Sequence, residues 1–385
     1  INLSSYKKNG GYEIANKIKN SLISKKQVLD SLNESGLKGK GGAGFPTGKK
    51  WEIVSNYNGK KYVAVNGDEG EPGTFKDRSY LESDPHRFLE GALIASYFIN
   101  AQKVYIYMRD EYPTVIKILL DEINKMEDEE IIPKDFFIVR RGAGAYICGE
   151  ESAMIESIEG KRGLPRHRPP YVAEIGLFGC PTLTNNLETL FWVRDIIEKG
   201  AKWFAEKGSN GNKGFHSFSV SGRVKNPGVK VAPAGITIQQ LIDKYCDGMA
   251  DGHTFKGYLP GGASGGILPA TMNDIPLDYG SKELMDAGCF LGSAAVVVLS
   301  DHDNMKDVAL NLLKFFEEES CGQCTPCRSG TEKTVKLMQE KNWNKEKLKD
   351  LSEVMAQASI CGLGQAATNP LNSVLKYFSN EITYD

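Results

Sequence analysis

The sequence predicts an α/β protein in three parts: an α/β layered domain, a small β-rich unit and a C-terminal helical bundle. Strand and helix patterns alternate through the first half of the chain. Short strand patterns follow a stretch rich in glycine and asparagine near residue 208, and helical spacing of apolar residues dominates from residue 305. At 385 residues the chain is long for one hydrophobic core. We therefore expect domains at 1–207, 215–302 and 303–385.

The first domain is predicted from its alternating elements. Apolar residues at helical spacing predict a helix over 11–35, which Gly36 ends, and a glycine-rich loop follows. A further helix is expected to begin within 182–188. The other predicted elements are strands at 62–65, 104–107 and 136–139, with helices at 85–98 and 114–126.

The second and third parts differ in their periodicity. The β-rich unit is predicted to end in a valine-rich strand within 292–299, and the bundle consists of helices only. The predicted elements are strands at 218–221 and 228–231, a helix at 237–245, and bundle helices at 306–319, 328–340, 345–358 and 369–379.

Composition excludes several classes of protein. A formal net charge of −2 gives no electrostatic footprint for nucleic acid. No apolar run reaches the roughly 18 residues that a membrane span needs, and the sequence has no signal peptide. The eight cysteines are not spaced as a disulfide framework. A cytoplasmic protein is the expectation, and the first residue, Ile1, is consistent with a piece of a longer chain.

Four cysteines near the C-terminus carry the strongest chemical signal. Cys321, Cys324 and Cys327 recur every third residue, and Cys361 follows 34 residues later. Four thiolates of this kind hold an iron–sulfur cluster. The alternative is structural zinc, which usually takes two well-separated pairs of ligands. Because three thiols crowd one loop here, the spacing favours a cluster.

A glycine-rich loop and three polar segments in the first domain predict a cofactor cleft. The loop at 39–48 offers backbone N–H groups and nearby lysines to an anion, although its spacing fits neither a Walker loop nor the dinucleotide fingerprint. Acidic and amide side chains follow strand patterns at 66–71 and 142–151, and a similar segment lies at 182–188. Each alone is equally compatible with a surface turn. Together they indicate one binding edge of an α/β sheet.

Four motifs in collinear order resemble the flavin- and NADH-binding subunit of respiratory complex I. They are 39–48, 66–73, 146–151 and the cysteine loop at 321–327. The same family includes the diaphorase subunits of NAD-linked or electron-bifurcating hydrogenases and formate dehydrogenases. The segments 257–269 and 289–295 are more similar to that hydrogenase and formate dehydrogenase branch.

The resemblance implies a fold and an activity. The fold is a Rossmann-like FMN- and NADH-binding domain, then a β-grasp-like domain, then a helical bundle that holds one [4Fe–4S] cluster. The activity is NADH oxidation, or NAD⁺ reduction in reverse: hydride passes between NADH and FMN, and single electrons pass through the cluster to a partner subunit. The complex would be of hydrogenase or formate dehydrogenase type and electron-bifurcating in some members.

The resemblance also implies site residues, which we carry over position by position. Glu71 and Glu151 would lie near the nicotinamide as the catalytic pair, and Phe45 and Tyr171 would stack on the adenine of NADH. The cluster ligands would be Cys321, Cys324, Cys327 and Cys361. The FMN residues would be Gly39, Gly41, Gly42 and Lys50 on the phosphate side, Asn66, Asp68 and Glu69 at the ribityl chain and ring, and Tyr146, Gly149, Glu150, Asn185 and Asn186 around the rest.

Two positions depart from the complex I pattern. Tyr171 and Ile53 stand where those relatives usually have phenylalanine, and Ile53 weakens stacking on one adenine face. His167 and Arg168 would lie near the adenosine ribose, where Arg168 could meet a 2′-phosphate. NADH is nevertheless the expected substrate.

Partner subunits are expected because the sequence holds no second cysteine cluster. The resemblance implies a thioredoxin-like [2Fe–2S] subunit and a further catalytic subunit, with hydrogenase or formate dehydrogenase favoured. Three alternatives remain open: the complex I subunit proper, a zinc-stabilised adaptor without redox chemistry, and a free-standing diaphorase.

Overall fold

A computed structural model describes residues 1–384 of the chain. It divides into two compact units, of which the first comprises 1–70 and 75–215 and the second comprises 71–74 and 216–385. The predicted fold class, a parallel α/β sheet followed by a helical C-terminal region, is confirmed. The division into three domains remains a prediction.

The first unit is built on a four-stranded parallel sheet of order β3-β2-β1-β4. All its strands therefore end at one edge, which is where ligands bind in α/β sheets. The helix expected to start within 182–188 is confirmed and begins at Leu187. The residues before it, from Thr182 onwards, form a strand that was not predicted and that pairs with β1. The strands are β1 (Tyr62–Gly67), β2 (Lys103–Met108), β3 (Phe137–Arg141) and β4 (Thr182–Asn186).

The helices of this unit cover the sheet and bury its apolar core. Helix α6 approaches α9 closely because Gly91 has no side chain: a Cβ at Gly91 would overlap the carbonyl of Leu190. The helices are α1 (Leu3–Lys8), α2 (Glu13–Lys19), α3 (Lys25–Ser35), α4 (Thr47–Ser55), α5 (Lys76–Ser83), α6 (Pro85–Ile99), α7 (Pro113–Asp128), α8 (Glu151–Ile158), α9 (Leu187–Lys199) and α10 (Ala201–Ala205).

The predicted single helix over 11–35 is wrong, because the structure has two helices there. Helix α2 ends at Lys19, and Ser21 adopts a left-handed conformation with φ 59°. Ser24 then starts α3 with a capping box: its side chain accepts from the backbone N–H of Gln27, and the Gln27 side chain accepts from the Ser24 N–H. Gly36 ends α3 in a left-handed conformation, as predicted.

The second unit begins with a mixed five-stranded sheet of order β6-β5-β9-β7-β8. Strand β9 runs parallel to β5 and antiparallel to β7, and helix α11 contributes apolar residues to the core of this sheet. The elements are β5 (Phe215–Gly222), β6 (Gly228–Pro233), α11 (Ile238–Tyr245), β7 (Phe255–Leu259), β8 (Leu268–Pro269), α12 (Lys282–Asp286) and β9 (Ala295–Ser300).

The helical bundle completes the second unit, and its boundaries agree with the predicted ones to within three residues. No helix in the described part of the chain has the length and apolar character needed to cross a lipid bilayer. The bundle helices are α13 (Met305–Glu319), α14 (Thr325–Gln339), α15 (Lys345–Ala358), α16 (Gly362–Ala366) and α17 (Asn369–Tyr377).

Candidate functional site

The carboxyl edge of the first sheet brings three predicted polar segments together. Asn66 and Asn186 stand opposite each other at the ends of β1 and β4. The Asn66 amide donates to the carbonyl of Gly149 at 2.8 Å, and its oxygen accepts from the backbone N–H of Asp68 at 3.1 Å. The segments expected at the ends of the strands therefore form one continuous edge.

Glycines keep this edge open to a ligand. A Cβ on Gly41 would lie 3.2 Å from the Asn186 Cβ, and one on Gly149 would lie 3.3 Å from the Asp68 carbonyl oxygen. A Cβ on Gly70 would lie 3.3 Å from the ring of Tyr146. Only glycine fits these positions without displacing a neighbour, so backbone groups are presented where side chains would otherwise stand.

The glycine-rich loop is fixed at its base. The Lys40 N–H donates to the Thr189 hydroxyl at 2.9 Å, and the Lys40 ammonium donates to the Phe215 carbonyl at 2.6 Å. Gly42 and Gly44 adopt positive φ angles of 123° and 63°. Thr47, directly after the loop, has a buried hydroxyl with no hydrogen-bond partner among the described residues. A polar ligand beside this loop would satisfy that hydroxyl, so the residues present fit a phosphate-bearing cofactor.

Lys50 and Glu151 form an ion pair at the same edge. The Lys50 ammonium lies 2.9 Å from Glu151 Oε1 and donates to the Thr184 hydroxyl at 2.8 Å, while Thr184 also bonds to Glu151. Burial alone would raise the pKa of the Glu151 carboxyl. Lys50 and Thr184 outweigh it, so this pKa lies below its ordinary value. Glu151 is therefore held as a carboxylate.

Arg168 joins the acidic pair at the start of α8. Its guanidinium bonds to the Glu150 carboxylate and lies 3.9 Å from that of Glu151. Glu150 in turn accepts from the backbone N–H groups of Ser152 and Ala153 as the N-cap of α8. Two carboxylates thus face two cations, Lys50 and Arg168, which balances the formal charge of this corner.

Glu69 is a buried carboxyl at the start of α5. It accepts from the backbone N–H groups of Asp77 at 2.9 Å and Arg78 at 3.3 Å, and from the Tyr112 hydroxyl at 3.3 Å. Burial, with the neighbouring Asp77 charge, raises its pKa to about 8. These contacts give Glu69 a structural role in addition to the predicted one at the flavin.

Sequence reasoning missed a buried ionic cluster beneath this edge. The Lys76 ammonium lies 2.8 Å from Asp77 and 3.0 Å from Glu188, and it donates to the Asn186 side-chain oxygen at 3.3 Å. Asn186 donates to Asp77 at 2.7 Å. Asn185 is fixed separately, because its oxygen accepts from the Trp51 indole at 2.9 Å. The cluster joins residues at 76–77 to residues at 186–188, with Lys76 and Asn186 separated by 110 positions, so no local pattern could have indicated it.

The residues expected to hold NADH are placed as follows. Phe45 and Tyr171 are 43% and 58% exposed, unusually open for aromatic side chains. Glu71 belongs to the second unit, where its carboxylate accepts from the Ser264 N–H at 3.0 Å and from the Ser264 hydroxyl at 2.5 Å. Burial raises the pKa of Glu71 even though these donors act to lower it.

The cysteine site lies at the ends of bundle helices. Cys324 and Cys361 are the N-cap residues of α14 and α16, and Cys327 is buried in the first turn of α14. The Ser320 hydroxyl lies 3.3 Å from the Cys327 sulfur. A Cβ on Gly364 would lie only 2.8 Å from the Cys327 Cβ, so α16 packs directly against this predicted ligand.

The donor set at this site fits an iron–sulfur cluster. All eight cysteines are free thiols. Three of the four predicted ligands come from one loop, 321–327, and the fourth is Cys361. Structural zinc usually takes two well-separated pairs of ligands, whereas four thiolates hold a cluster. The cysteines present therefore fit a [4Fe–4S] cluster.

Fold and sites together define a flavoprotein oxidoreductase that carries an iron–sulfur cluster. The family model described as "Nuo51 FMN-binding domain" matches residues 32–195, and "NADH-ubiquinone oxidoreductase-F iron-sulfur binding region" matches residues 307–385. The chain belongs to the family of NADH-quinone oxidoreductase F subunits. It is 40% identical to the F 2 subunit of Rhizobium meliloti (strain 1021), over 98% of this chain and 93% of the relative. It is also 40% identical to the F subunit of Aquifex aeolicus (strain VF5), over 98% of this chain and 90% of the relative.

Solved structures give a second comparison. The chain is similar to a chain of an NAD⁺-reducing [NiFe]-hydrogenase in the H₂-reduced state, with a TM-score of 0.86 and 33% identity over 95% of this chain. It spans 63% of the length of that hydrogenase chain. The air-oxidised state of an NAD⁺-reducing [NiFe]-hydrogenase matches with a TM-score of 0.84 and 34% identity.

These comparisons confirm the resemblance stated from the motifs. The chain is an NADH-oxidising FMN and iron–sulfur subunit of the type found in complex I and in NAD-reducing hydrogenases, with FMN, NAD(H) and a [4Fe–4S] cluster as its cofactors. Family membership also implies a hetero-oligomeric complex. The assignment of individual site residues remains a prediction.

Proposed function

We propose that this chain is the NADH-reacting subunit of a complex of hydrogenase or formate dehydrogenase type. The observation that carries the proposal is the similarity, over 95% of this chain, to a chain of an NAD⁺-reducing hydrogenase. A second candidate is the complex I subunit proper, and the 40% identity to NADH-quinone oxidoreductase relatives favours it.

The cofactors supply the redox chemistry, and the chain supplies binding and electrostatics. FMN would supply hydride exchange with NADH and one-electron release, and a [4Fe–4S] cluster would supply one-electron transfer. The backbone at Gly41 and Gly149, with the side chain of Asn66, would hold the flavin. The buried Thr47 hydroxyl would donate to its phosphate side.

Glu151 would act on the nicotinamide through its charge. Lys50 and Thr184 keep it ionised, and a carboxylate favours the cationic nicotinamide ring of NAD⁺ over the neutral ring of NADH. Because Lys50 lies 2.9 Å from Glu151, we place Lys50 at the nicotinamide end of the site instead of the flavin phosphate. Its role is to hold Glu151 ionised and in position.

The adenosine end would be held by the exposed rings of Phe45 and Tyr171. Arg168 would not select for a 2′-phosphate, since its guanidinium is already engaged by Glu150. We therefore propose NADH as the substrate in preference to NADPH.

The experiment starts with an affinity tag on this chain in its source organism and anaerobic isolation of the native complex. NAD⁺ reduction with hydrogen or formate, by a complex that includes a thioredoxin-like [2Fe–2S] subunit, would support the proposal. NADH-dependent quinone reduction by a membrane complex would favour the second candidate. Zinc in place of iron, or no releasable FMN, would refute the redox assignment itself.

We propose more specifically that the complex bifurcates electrons, and this is tested on the same isolated complex. A bifurcating complex would oxidise NADH only when a second, low-potential one-electron carrier takes part in the same turnover. Full NADH oxidation with one physiological partner alone would contradict bifurcation and leave the simpler assignment standing.

A further inference from the structure

Two histidines in the second unit, His253 and His302, face each other just beyond the ends of the neighbouring strands β7 and β9. Strands β7 and β9 are antiparallel with Phe255 opposite Ser300. Continuing this register by two residues places His253 opposite His302, with ring centroids 4.6 Å apart. Side chains directly opposite in an antiparallel pair have Cβ atoms about 4.5–5.5 Å apart, close enough for both to bind one ion.

Asp301 completes a three-ligand group. One nitrogen or oxygen atom from each of His253, Asp301 and His302 lies within 4.8 Å of the other two. The backbone fixes the carboxylate, because Asp301 accepts from the Thr254 N–H at 2.8 Å and its own N–H donates to the Thr254 carbonyl at 3.0 Å. The three ligands therefore stand on two strand ends that hydrogen bonds already join.

Ser300 contacts one ring nitrogen of His253, Nδ1, and leaves the other, Nε2, for a metal ion. The Ser300 hydroxyl lies 2.9 Å from His253 Nδ1 and 3.4 Å from an oxygen of Asp303. The same hydroxyl accepts from the His302 N–H at 3.2 Å. When its own proton points to Asp303, it accepts from Nδ1–H of His253 as well. This tautomer leaves the lone pair of Nε2 for a metal ion, as the outer partners of metal-bound histidines commonly do.

Neighbouring cations are engaged elsewhere. Arg223 lies 2.8 Å from Asp303, and Lys256 lies 2.8 Å from Glu381. Asp301 and His302 are exposed and His253 is half-buried, so an ion can enter from solvent.

We propose that His253, Asp301 and His302 form a binding site for a divalent transition-metal ion, with Zn²⁺ as the ion it takes. Two imidazoles and one carboxylate suit zinc, whereas magnesium and calcium prefer ligand sets made of oxygen atoms alone. Three protein ligands leave a fourth position for water. The site uses none of the cysteines. A bound ion would join the segment before β7 to the turn after β9.

The test uses untagged holoprotein with its FMN and iron–sulfur cluster in place, handled anaerobically and freed of loosely bound metal. Zn²⁺ binding is measured by equilibrium dialysis and elemental analysis, with iron measured in the same sample. We expect one Zn²⁺ per chain at unchanged iron content, and binding at least tenfold weaker in His253→Ala and in His302→Ala. His167→Ala, which removes another exposed histidine, is the control and should bind as the wild type does.

Asp301→Asn keeps the size and shape of the side chain and provides a third variant should either alanine variant fold poorly. It should also weaken binding. The proposal is overturned if the wild type binds Zn²⁺ no more tightly than a His253→Ala/His302→Ala double variant. It is also overturned if the zinc taken up is matched by a loss of iron, which would place the ion at the cysteines.

Discussion

Replacing Lys50 by methionine tests whether the ion pair with Glu151 sets the electrostatics of the pocket. Methionine keeps a long unbranched side chain and removes the charge. Glu151 would then face only Thr184 and the more distant Arg168, whose guanidinium is 3.9 Å away. Burial, the largest influence on Glu151, would no longer be offset by Lys50, and the pKa of Glu151 would rise.

The size of the effect follows from how exposed the pair is. The Lys50 and Glu151 side chains are 28% and 26% exposed. Fully exposed pairs contribute about 0.2–1 kcal/mol, whereas removing one partner of a fully buried pair costs about 3–5 kcal/mol. The Lys50–Glu151 pair lies between these limits. We therefore expect Lys50→Met to lower the free energy of unfolding by about 1–2 kcal/mol at neutral pH.

The loss should depend on pH in a definite direction. In the wild type the pKa of Glu151 is lowered on folding, so its contribution to stability is present above the unfolded-state pKa and is lost as the pH falls through the folded-state pKa. In Lys50→Met the folded-state pKa of Glu151 lies above that of the wild type. The stability lost through the substitution is therefore full above both folded-state pKa values, and it disappears as the pH falls below them, where Glu151 is protonated in both proteins.

Urea unfolding of the holoprotein at several pH values, followed by tryptophan fluorescence and flavin release, measures this difference. Lys26→Met is a matched control, because Lys26 pairs with Asp30 on the surface at 84% and 48% exposure, and its stability should stay close to that of the wild type at every pH. Adding Glu151→Gln to Lys50→Met should recover most of the loss. A loss that does not vary with pH, or two fully additive substitutions, would refute this account of the pair.

Three further predictions concern the cluster and the buried carboxyl. Gly364→Ala should lower iron content and stability because its Cβ would overlap the Ser359 side chain and lie 2.8 Å from the Cys327 Cβ, whereas Gly362→Ala, which meets nothing within 4 Å, should retain iron; equal iron in both variants would count against this packing. Cys324→Ser should lose the visible iron–sulfur absorption yet keep FMN and NADH-dependent dye reduction, and loss of FMN as well would show that the two sites depend on each other. The pKa of Glu69, raised to about 8, means that the native state keeps a proton which the unfolded state releases, so unfolding free energy should fall between about pH 5 and 8 by at most about 1.4 kcal/mol per pH unit. Glu69→Gln should flatten this slope, and an unchanged urea-unfolding profile would contradict it.

The spacing of apolar residues predicted most helices and strands, because that spacing is a local property of each segment of the chain. Strands β1 and β2 and the bundle helices were recognisable from apolar spacing, which burial on one face imposes. The break between α2 and α3 was missed because the apolar positions continue through it. What ends α2 and starts α3 is a left-handed Ser21 and the side-chain bonds of Ser24. Strand β4 was missed because its polar end resembles the start of a helix, and only pairing with β1 identifies it.

The candidate site, like the fold, could be predicted from the sequence only in part. Its glycines and strand-end amides lie in contiguous motifs, so the sequence could indicate the binding edge. The ion pair of Lys50 with Glu151 joins residues 101 positions apart, and no local pattern carries that information. Thr184 was overlooked for the same reason, although it is adjacent to the predicted Asn185.

The buried cluster around Lys76 shows how residues that the sequence did not indicate position a predicted cofactor residue, Asn186. Lys76 and Glu188 have side chains only 2% and 1% exposed, so both have given up their hydration. A buried ion pair of this kind contributes little net stability compared with apolar packing. We therefore ask which neighbouring group the pair positions. Lys76 and Asp77 together fix both ends of the Asn186 amide, and Asn186 is the side chain that a Cβ on Gly41 would approach at 3.2 Å. The charges beneath the sheet edge thus set the orientation of the amide that the glycine loop packs against. Positioning this amide is the role that the contacts of the buried charges indicate.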